Sequence, residues 1–150
     1  RESGKACIIA INKADLCDKA KKKELSVRVR ATMPFLNYAP LVFISALKGF
    51  GIGELTSAIL SVGNASMDKP PTPIVNRIIE DAQGVNPPPN NFKIYYSTFV
   101  GGPPPTFLVF CNNPKLCPQN YLSYIENSLR KKFEFVGHPM LIRLRARKKI

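Results

Sequence analysis

The chain has 150 residues, 45% of them hydrophobic, which excludes a disordered composition and allows one large or two small domains. Lys and Arg outnumber Asp and Glu by 22 to 10, and residues 1–70 and 71–150 are both basic. A polyanion, most simply RNA, is the partner that this charge implies, although solubility alone could account for it. No apolar run approaches the roughly 20 residues that span a bilayer, so no membrane partner is expected.

The cysteine and histidine content argues against a metal site and against nucleophilic catalysis. The four cysteines form no CxxC pair, and the only histidine lies far from most of them in sequence. We assign that histidine, His138, to a turn in "KKFEFVGHP". Free cysteines favour a reducing compartment, so we expect a cytoplasmic location, or the stroma or matrix of an organelle.

In chain order, the first 64 residues predict alternating strands and helices. The first elements are a buried strand over 6–11 and a helix within 18–36, which Asp18 can cap and Pro34 ends. A strand over 39–46 follows, and then a loop and a helix over 49–62. This alternation is typical of parallel strands with crossover helices. Because two strands rarely form a stable sheet alone, we expect further strands upstream of "RESGKACIIA".

A polar, Pro-rich stretch over 65–72 predicts a linker, and an α+β module follows it over 73–150. Its elements are a helix over 73–83, strands over 92–100 and 106–113, a helix over 118–133 and a last strand over 140–149. The module is therefore ordered helix, strand, strand, helix, strand.

Helical periodicity predicts which side chains of this module reach its core. In the first helix Ile74, Ile78 and Ala82 recur at helical spacing. In the second helix Tyr121, Ile125 and Leu129 do the same.

Polar residues follow directly on the first strand, in "INKADL". Asp15, an acceptor when ionised, can take two parallel hydrogen bonds from the N–H groups that guanine presents on its Watson–Crick edge. Lys13 can lay its alkyl stem on a ring face, and the Asn12 amide can join two loops. The alternative is ordinary loop chemistry, in which Asn12 and Asp15 cap a turn and the next helix.

The next strand ends in "FISALKG", and this second motif makes the first more specific. Loops at the carboxyl ends of neighbouring parallel strands face the same crevice. Small residues at Ser45 and Ala46 leave backbone N–H groups that we expect to be free for a carbonyl oxygen such as guanine O6.

NKxD after one strand and SAxxG after the next resemble the base-recognition half of a P-loop GTPase. The segments "TMPFLNYAPLVFISALKG", "NPPPNNFKIYYSTFVGGPPPTFLVFCNNP" and "NYLSYIENSLRKKFEFVGHPMLIRLR" extend this to a resemblance to the C-terminal part of the EngA/Der family. The resemblance implies a P-loop GTPase-like α/β fragment over 1–64 and a KH-like domain over 73–150. It further implies GTP or GDP binding, GTP hydrolysis and a role in maturing the large ribosomal subunit.

Carried onto this chain, the resemblance implies two sets of guanine-binding residues. The first set is the NKxD motif, and the second is the loop after the second strand. They are Asn12, Lys13 and Asp15, and Ser45, Ala46 and Leu47. Family members typically have Trp where this chain has Ala14, which removes an aromatic surface.

The chain contains no GxxxxGK[ST] phosphate loop and no DxxG upstream of NKAD. "DAQG" at 81–84 falls at a helix end, and we interpret it as a chance match. Without a phosphate cradle or a magnesium ligand, these residues should not hydrolyse GTP alone. We therefore assign no catalytic residue, and expect Mg²⁺ only in a full-length protein.

The KH-like domain has no GxxG loop between two helices, so its candidate RNA contacts are basic side chains. These candidates are Arg130, Lys131, Lys132, Arg143, Arg145, Arg147, Lys148 and Lys149. Alternation along the last strand puts its arginines on one face, which suits phosphates. The same charges could instead protect an edge strand, or the domain could pack on GTPase domains absent from this sequence.

Two interpretations follow for the whole chain. In the first, it is the C-terminal part of a ribosome-assembly GTPase, with ribosomal RNA and the missing N-terminal GTPase domains as partners and no DNA. In the second, it is a standalone RNA- or protein-binding module in which NKAD is a relic.

Overall fold

The computed structural model describes residues 4–65 and 69–147, which form two compact units. The first unit contains the described residues before position 67 together with Phe135–Pro139, and the second contains the rest. Of the linker predicted over 65–72, residues 66–68 lie outside the described residues. Ala65 ends one helix and Thr72 begins the next.

The first unit is a two-stranded parallel sheet with a crossover helix. Its strands and helices are β1 (Ile9–Ile11), α1 (Lys19–Thr32), β2 (Leu41–Phe43) and α2 (Ile52–Ala65). Ile9 pairs with Leu41 and Ile11 with Phe43, in parallel register. Asp18 caps α1 as expected, because its side chain accepts a hydrogen bond from Lys21 N–H at 2.7 Å.

Both strands are shorter than the sequence predicts, because the flanking backbone bonds elsewhere. Before β1, Cys7 N–H donates to Gly137 O; after β2, Ser45 N–H donates to Phe50 O. The helix ends before Pro34, as the sequence predicts: α1 stops at Thr32, and a separate 3₁₀ turn, Pro34–Leu36, follows. Proline lacks an N–H and cannot continue the helical ladder.

The strap segment, Phe135–Pro139, belongs to the first unit although the sequence places it deep in the second half. Cys7 N–H donates to Gly137 O at 2.7 Å, and Gly137 N–H donates to Tyr38 O at 2.9 Å. The strap segment therefore bonds the chain before β1 and the chain before β2 through one residue.

His138 of the strap segment closes a turn, as predicted, because its N–H donates to Phe135 O at 2.9 Å, and it is also buried. Its Nε2 lies 2.8 Å from Val62 O, near the end of α2, and donates to it. A polar ring can be buried at low cost when it is hydrogen-bonded in this way.

The second unit is a three-stranded mixed sheet with two helices. Its elements are α3 (Thr72–Val85), β3 (Ile94–Gly101), β4 (Thr106–Cys111), α4 (Gln119–Arg130) and β5 (Leu141–Ala146). The strand order is β3-β4-β5, with β3 and β4 antiparallel and β4 and β5 parallel. The order helix, strand, strand, helix, strand is the one that the sequence predicts.

The helices contribute to the core largely as their periodicity indicates. Tyr121, Ile125 and Leu129 of α4 are at most 4% exposed, which confirms the predicted face. In α3 the prediction holds for Ala82 only, because the buried residues are Val75, Ile79 and Ala82. These recur at i, i+4 and i+7, a spacing that keeps three side chains on one helical face.

The buried phenol of Tyr121 should make the second unit less stable at alkaline pH. Its hydroxyl donates to Asn86 O at 3.1 Å, and burial, with smaller contributions from Tyr124 and Cys117, raises the pKa of Tyr121 to about 12. The unfolded chain releases this proton near pH 10, before the folded chain does. Stability should therefore be unaffected below about pH 10 and fall as the pH rises toward 12.

Urea unfolding at neutral and alkaline pH checks this prediction. Tyr121→Phe should weaken the loss of stability above pH 10, whereas Tyr95→Phe removes an exposed phenol and serves as the control. An identical alkaline loss in the parent and in Tyr121→Phe would contradict the assignment.

Three further features concern the described residues. None of their helices is both long enough and apolar enough to cross a membrane. No three metal-ligating side chains cluster among residues 4–65 and 69–147. The four cysteines are free.

Candidate functional site

The two polar motifs meet at one edge of the first unit's sheet, where β1 and β2 end. The first loop, residues 12–15, follows β1, and the second loop, residues 45–48, lies just after β2. Ile44 N–H donates to Ile11 O at 2.8 Å, and Ala14 N–H donates to Ile44 O at 2.9 Å. The strand pairing thus continues into both loops and sets their relative position.

Asn12 joins the two loops through its side chain. Its Oδ1 accepts hydrogen bonds from Ala46 N–H at 3.1 Å and from Lys13 N–H at 2.8 Å. Asn12 therefore has the loop-joining geometry that the sequence predicts for its amide.

The same bond changes one expectation about the second loop. The sequence predicts free N–H groups at Ser45 and Ala46, but Ser45 N–H donates to Phe50 O and Ala46 N–H to Asn12. A carbonyl acceptor would have to share the Ala46 N–H with Asn12 or use another amide of this loop. Leu47 of the same loop is 91% exposed.

Lys13 takes a left-handed backbone conformation, with φ of 61°, and turns the chain out of β1. The turn leaves Lys13 exposed and places Ala14 in the interior at 1% exposure. Position 14 is thus a packing position in this chain and presents no surface.

Asp15 carries the acceptor chemistry of the first loop. A hydrogen bond from the Ser45 side chain is the largest cause that lowers the pKa of Asp15 below its usual value, and Lys48 contributes in the same direction. The carboxylate is therefore ionised at neutral pH and can only accept hydrogen bonds. Its side chain is 15% exposed, which leaves part of it accessible.

Lys48 is not predicted from the sequence, yet it contacts the key acid. Its Nζ lies 3.4 Å from Asp15 Oδ2, and its side chain is 63% exposed. In the sequence Lys48 is visible only as the lysine of "SALKG", and no local spacing relates it to Asp15. Because the Lys48 side chain lies mostly in solvent, the pair contributes little stability, and Lys48 can move aside for a ligand at small cost.

The arginines of the last strand fall on one face, as alternation predicts. Arg143 and Arg145 are exposed on β5, and Arg147 is exposed just after it. The Arg147 guanidinium lies 5.6 Å from the centroid of the Tyr95 ring, a cation–π distance. Lys148 and Lys149 lie outside the described residues.

The other predicted basic cluster, residues 130–132, is less available. Arg130 pairs with Glu126 in α4, with Nη2 3.1 Å from Oε1, and its side chain is 16% exposed. Lys131 and Lys132 are exposed. Because α4 packs on the buried face of the sheet, this cluster does not join the arginines of β5.

The architecture of the second unit indicates a class of protein that carries a KH-like domain. A strand-end polar site precedes a module in which two helices cover one face of a mixed three-stranded sheet, and this second architecture is KH-like. A family model described as the KH-domain-like domain of EngA bacterial GTPase enzymes, C-terminal, matches residues 69–145.

Curated relatives support the same class. GTPase Der of Natranaerobius thermophilus is 40% identical over 147 residues, covering 94% of this chain and 33% of the relative. GTPase Der of Halothermothrix orenii is 39% identical over 150 residues, covering 96% and 34%. The chain thus spans about a third of the length of the relatives it matches. It belongs to the EngA/Der family, whose C-terminal KH-like domain it contains.

Proposed function

We propose that the chain supplies the guanine-recognition loops and the RNA-contacting module of a GTP-binding protein. The protein would act in assembly of the large ribosomal subunit, as the EngA/Der resemblance implies, in the cytoplasm or an organelle. The observation that carries the nucleotide part is the Asn12–Ala46 hydrogen bond, which joins the two loops beside the ionised Asp15.

The first unit fits the base of a guanine nucleotide. Asp15 would accept from the two adjacent N–H groups of guanine, and an exposed Lys13 stem can cover the ring face. Ser45 holds the Asp15 carboxylate, while Ala46 and Leu47 would line the side of the base that carries O6. Adenine lacks the paired donors and would leave Asp15 unsatisfied.

The residues that would hold the phosphates of GTP or GDP and a Mg²⁺ ion are not in this sequence. Hydrolysis therefore belongs to the proposed full-length protein, in which the missing GTPase domains supply a phosphate loop. Nucleotide competition in that protein tests the proposal, because an Asp15 carboxylate requires guanine over adenine and over hypoxanthine, which has no 2-amino group.

For the RNA part, we propose that Arg143, Arg145 and Arg147 contact phosphates of ribosomal RNA. All three are exposed, share one face of the last strand region, and have no acidic neighbour in β3, β4 or β5. Lys131 and Lys132 would contribute a second, separate patch.

Replacing these three arginines with glutamine should weaken RNA binding and flatten its salt dependence. Each phosphate that is no longer neutralised lowers the slope of log affinity against log salt by about 0.7–0.9. Binding titrations at several salt concentrations measure this slope. If the slope stays unchanged while the nucleotide response of the full-length protein changes, the module packs on GTPase domains instead.

A further inference from the structure

The sheet of the second unit has a face that the helices leave largely uncovered. Phe107 and Val109 of β4 are fully buried on the helix side, together with Ile125 and Leu129 of α4. Side chains alternate across a strand, so the residues between them point the other way. We call this the outer face, and it comprises Tyr96, Leu108, Phe110, Arg143 and Arg145. Thr98 lies on the same side, but its Oγ1 is 3.2 Å from Thr72 Oγ1 of α3.

Strand register arranges the outer face in two rows. Tyr96 pairs with Phe110, and Phe110 pairs with Arg145 across the next strand. Leu108 lies between Thr98 and Arg143 in the same way. Each row therefore ends in an arginine on β5.

We propose that the outer face binds single-stranded RNA, with a base stacked on the Tyr96–Phe110 pair and the adjacent phosphates on Arg143 and Arg145. The proposal rests on the RNA contact proposed above. It goes further because it assigns bases, and not phosphates alone, to this domain. A KH-type cleft needs a GxxG loop, which this chain lacks, whereas a stacking surface does not.

Ring geometry and exposure support stacking. The Tyr96 and Phe110 centroids are 6.1 Å apart with an interplanar angle of 37°, and Tyr96 is 46% exposed. A half-exposed aromatic on a sheet is the kind of group on which bases stack in single-strand-binding proteins. Tyr95, the residue next to Tyr96, already makes a cation–π contact with the planar guanidinium of Arg147.

Charge favours a nucleic acid over a protein as the occupant. The outer face carries two arginines, and β3, β4 and β5 contain no Asp or Glu. Arg143 and Arg145 are two residues apart on one strand, about 6.6 Å at the usual rise, so they can contact successive phosphates of an extended strand. A protein partner would need an acidic, apolar surface of matching shape.

Fluorescence anisotropy with a labelled, short, unstructured RNA tests the proposal on the 150-residue chain, with duplex RNA of the same strand length as second probe. Tyr96→Leu should weaken single-strand binding about 5- to 150-fold, the loss expected for one stacked base, and leave duplex binding unchanged. Tyr96→Phe keeps the ring and should bind within about twofold of the parent. Phe35→Leu removes an aromatic of similar exposure (50%) from the first unit and should have no effect.

Arg145→Gln separates this proposal from the broader one. If it weakens binding of both probes while Tyr96→Leu changes neither, phosphate contact stands and stacking is overturned. If the parent binds no RNA at low salt, both are overturned. If the parent binds no RNA and Tyr96 is also protected from solvent in the full-length protein, the outer face is an interface between domains.

Discussion

Asp15→Asn in the full-length protein should exchange its base preference from guanine to xanthine nucleotides. Guanine offers an N–H at position 1 and an amino group at position 2, and both suit an acceptor-only carboxylate. The asparagine amide offers one donor and one acceptor, and xanthine carries a carbonyl where guanine has the amino group. We expect affinity for GTP to fall about 10- to 100-fold, the scale of a lost charged hydrogen bond, and affinity for XTP to rise.

Competition of GTP, XTP and ITP for a fluorescent guanine nucleotide measures this preference. Asp18→Asn is the matched control, because it removes the same charge from the exposed cap of α1 and asparagine still caps a helix. Lys48→Met removes the other member of the ion pair and should keep guanine preferred. An Asp15→Asn protein that still prefers GTP to XTP would refute the assignment of Asp15.

Gly137→Ala should destabilise the first unit more than an exposed substitution does. Gly137 has φ of +75°, a left-handed conformation that costs other residues about 1–2 kcal/mol. An added Cβ would also overlap the Val62 side chain and lie 3.1 Å from Cys7 O. For about 2 kcal/mol in total, Tm should fall by roughly 8–16 °C, which circular dichroism of the whole chain can measure.

Gly53→Ala is the control for this effect, because a Cβ there meets no atom within 4 Å and the position lies in α2 of the same unit. Alanine should be neutral or stabilising at a helical glycine. Adding Val62→Ala to Gly137→Ala removes the overlap but not the backbone strain, so it separates the two causes. Equal melting temperatures for Gly137→Ala and the parent would mean that the strap segment does not support the first unit.

Local patterns predict much of the fold because they depend on neighbours along the chain. Residues spaced by four indicate the buried face of α4, and Asp18 before a helical run indicates the cap of α1. The order of strands and helices in the second unit follows from the same signals. Where two registers of apolar residues compete, as in α3, periodicity alone selects the wrong one.

The amino-acid sequence by itself determined the order of elements, the α4 face and the presence of two polar motifs after two strands, since each depends on residues close together in the chain. Only the tertiary structure placed the strap segment in the first unit, Lys48 on Asp15 and the aromatic and arginine rows on one side of the sheet. The physical reason is that these contacts join residues dozens of positions apart. Strand register and backbone hydrogen bonding decide such contacts, and no local periodicity encodes them.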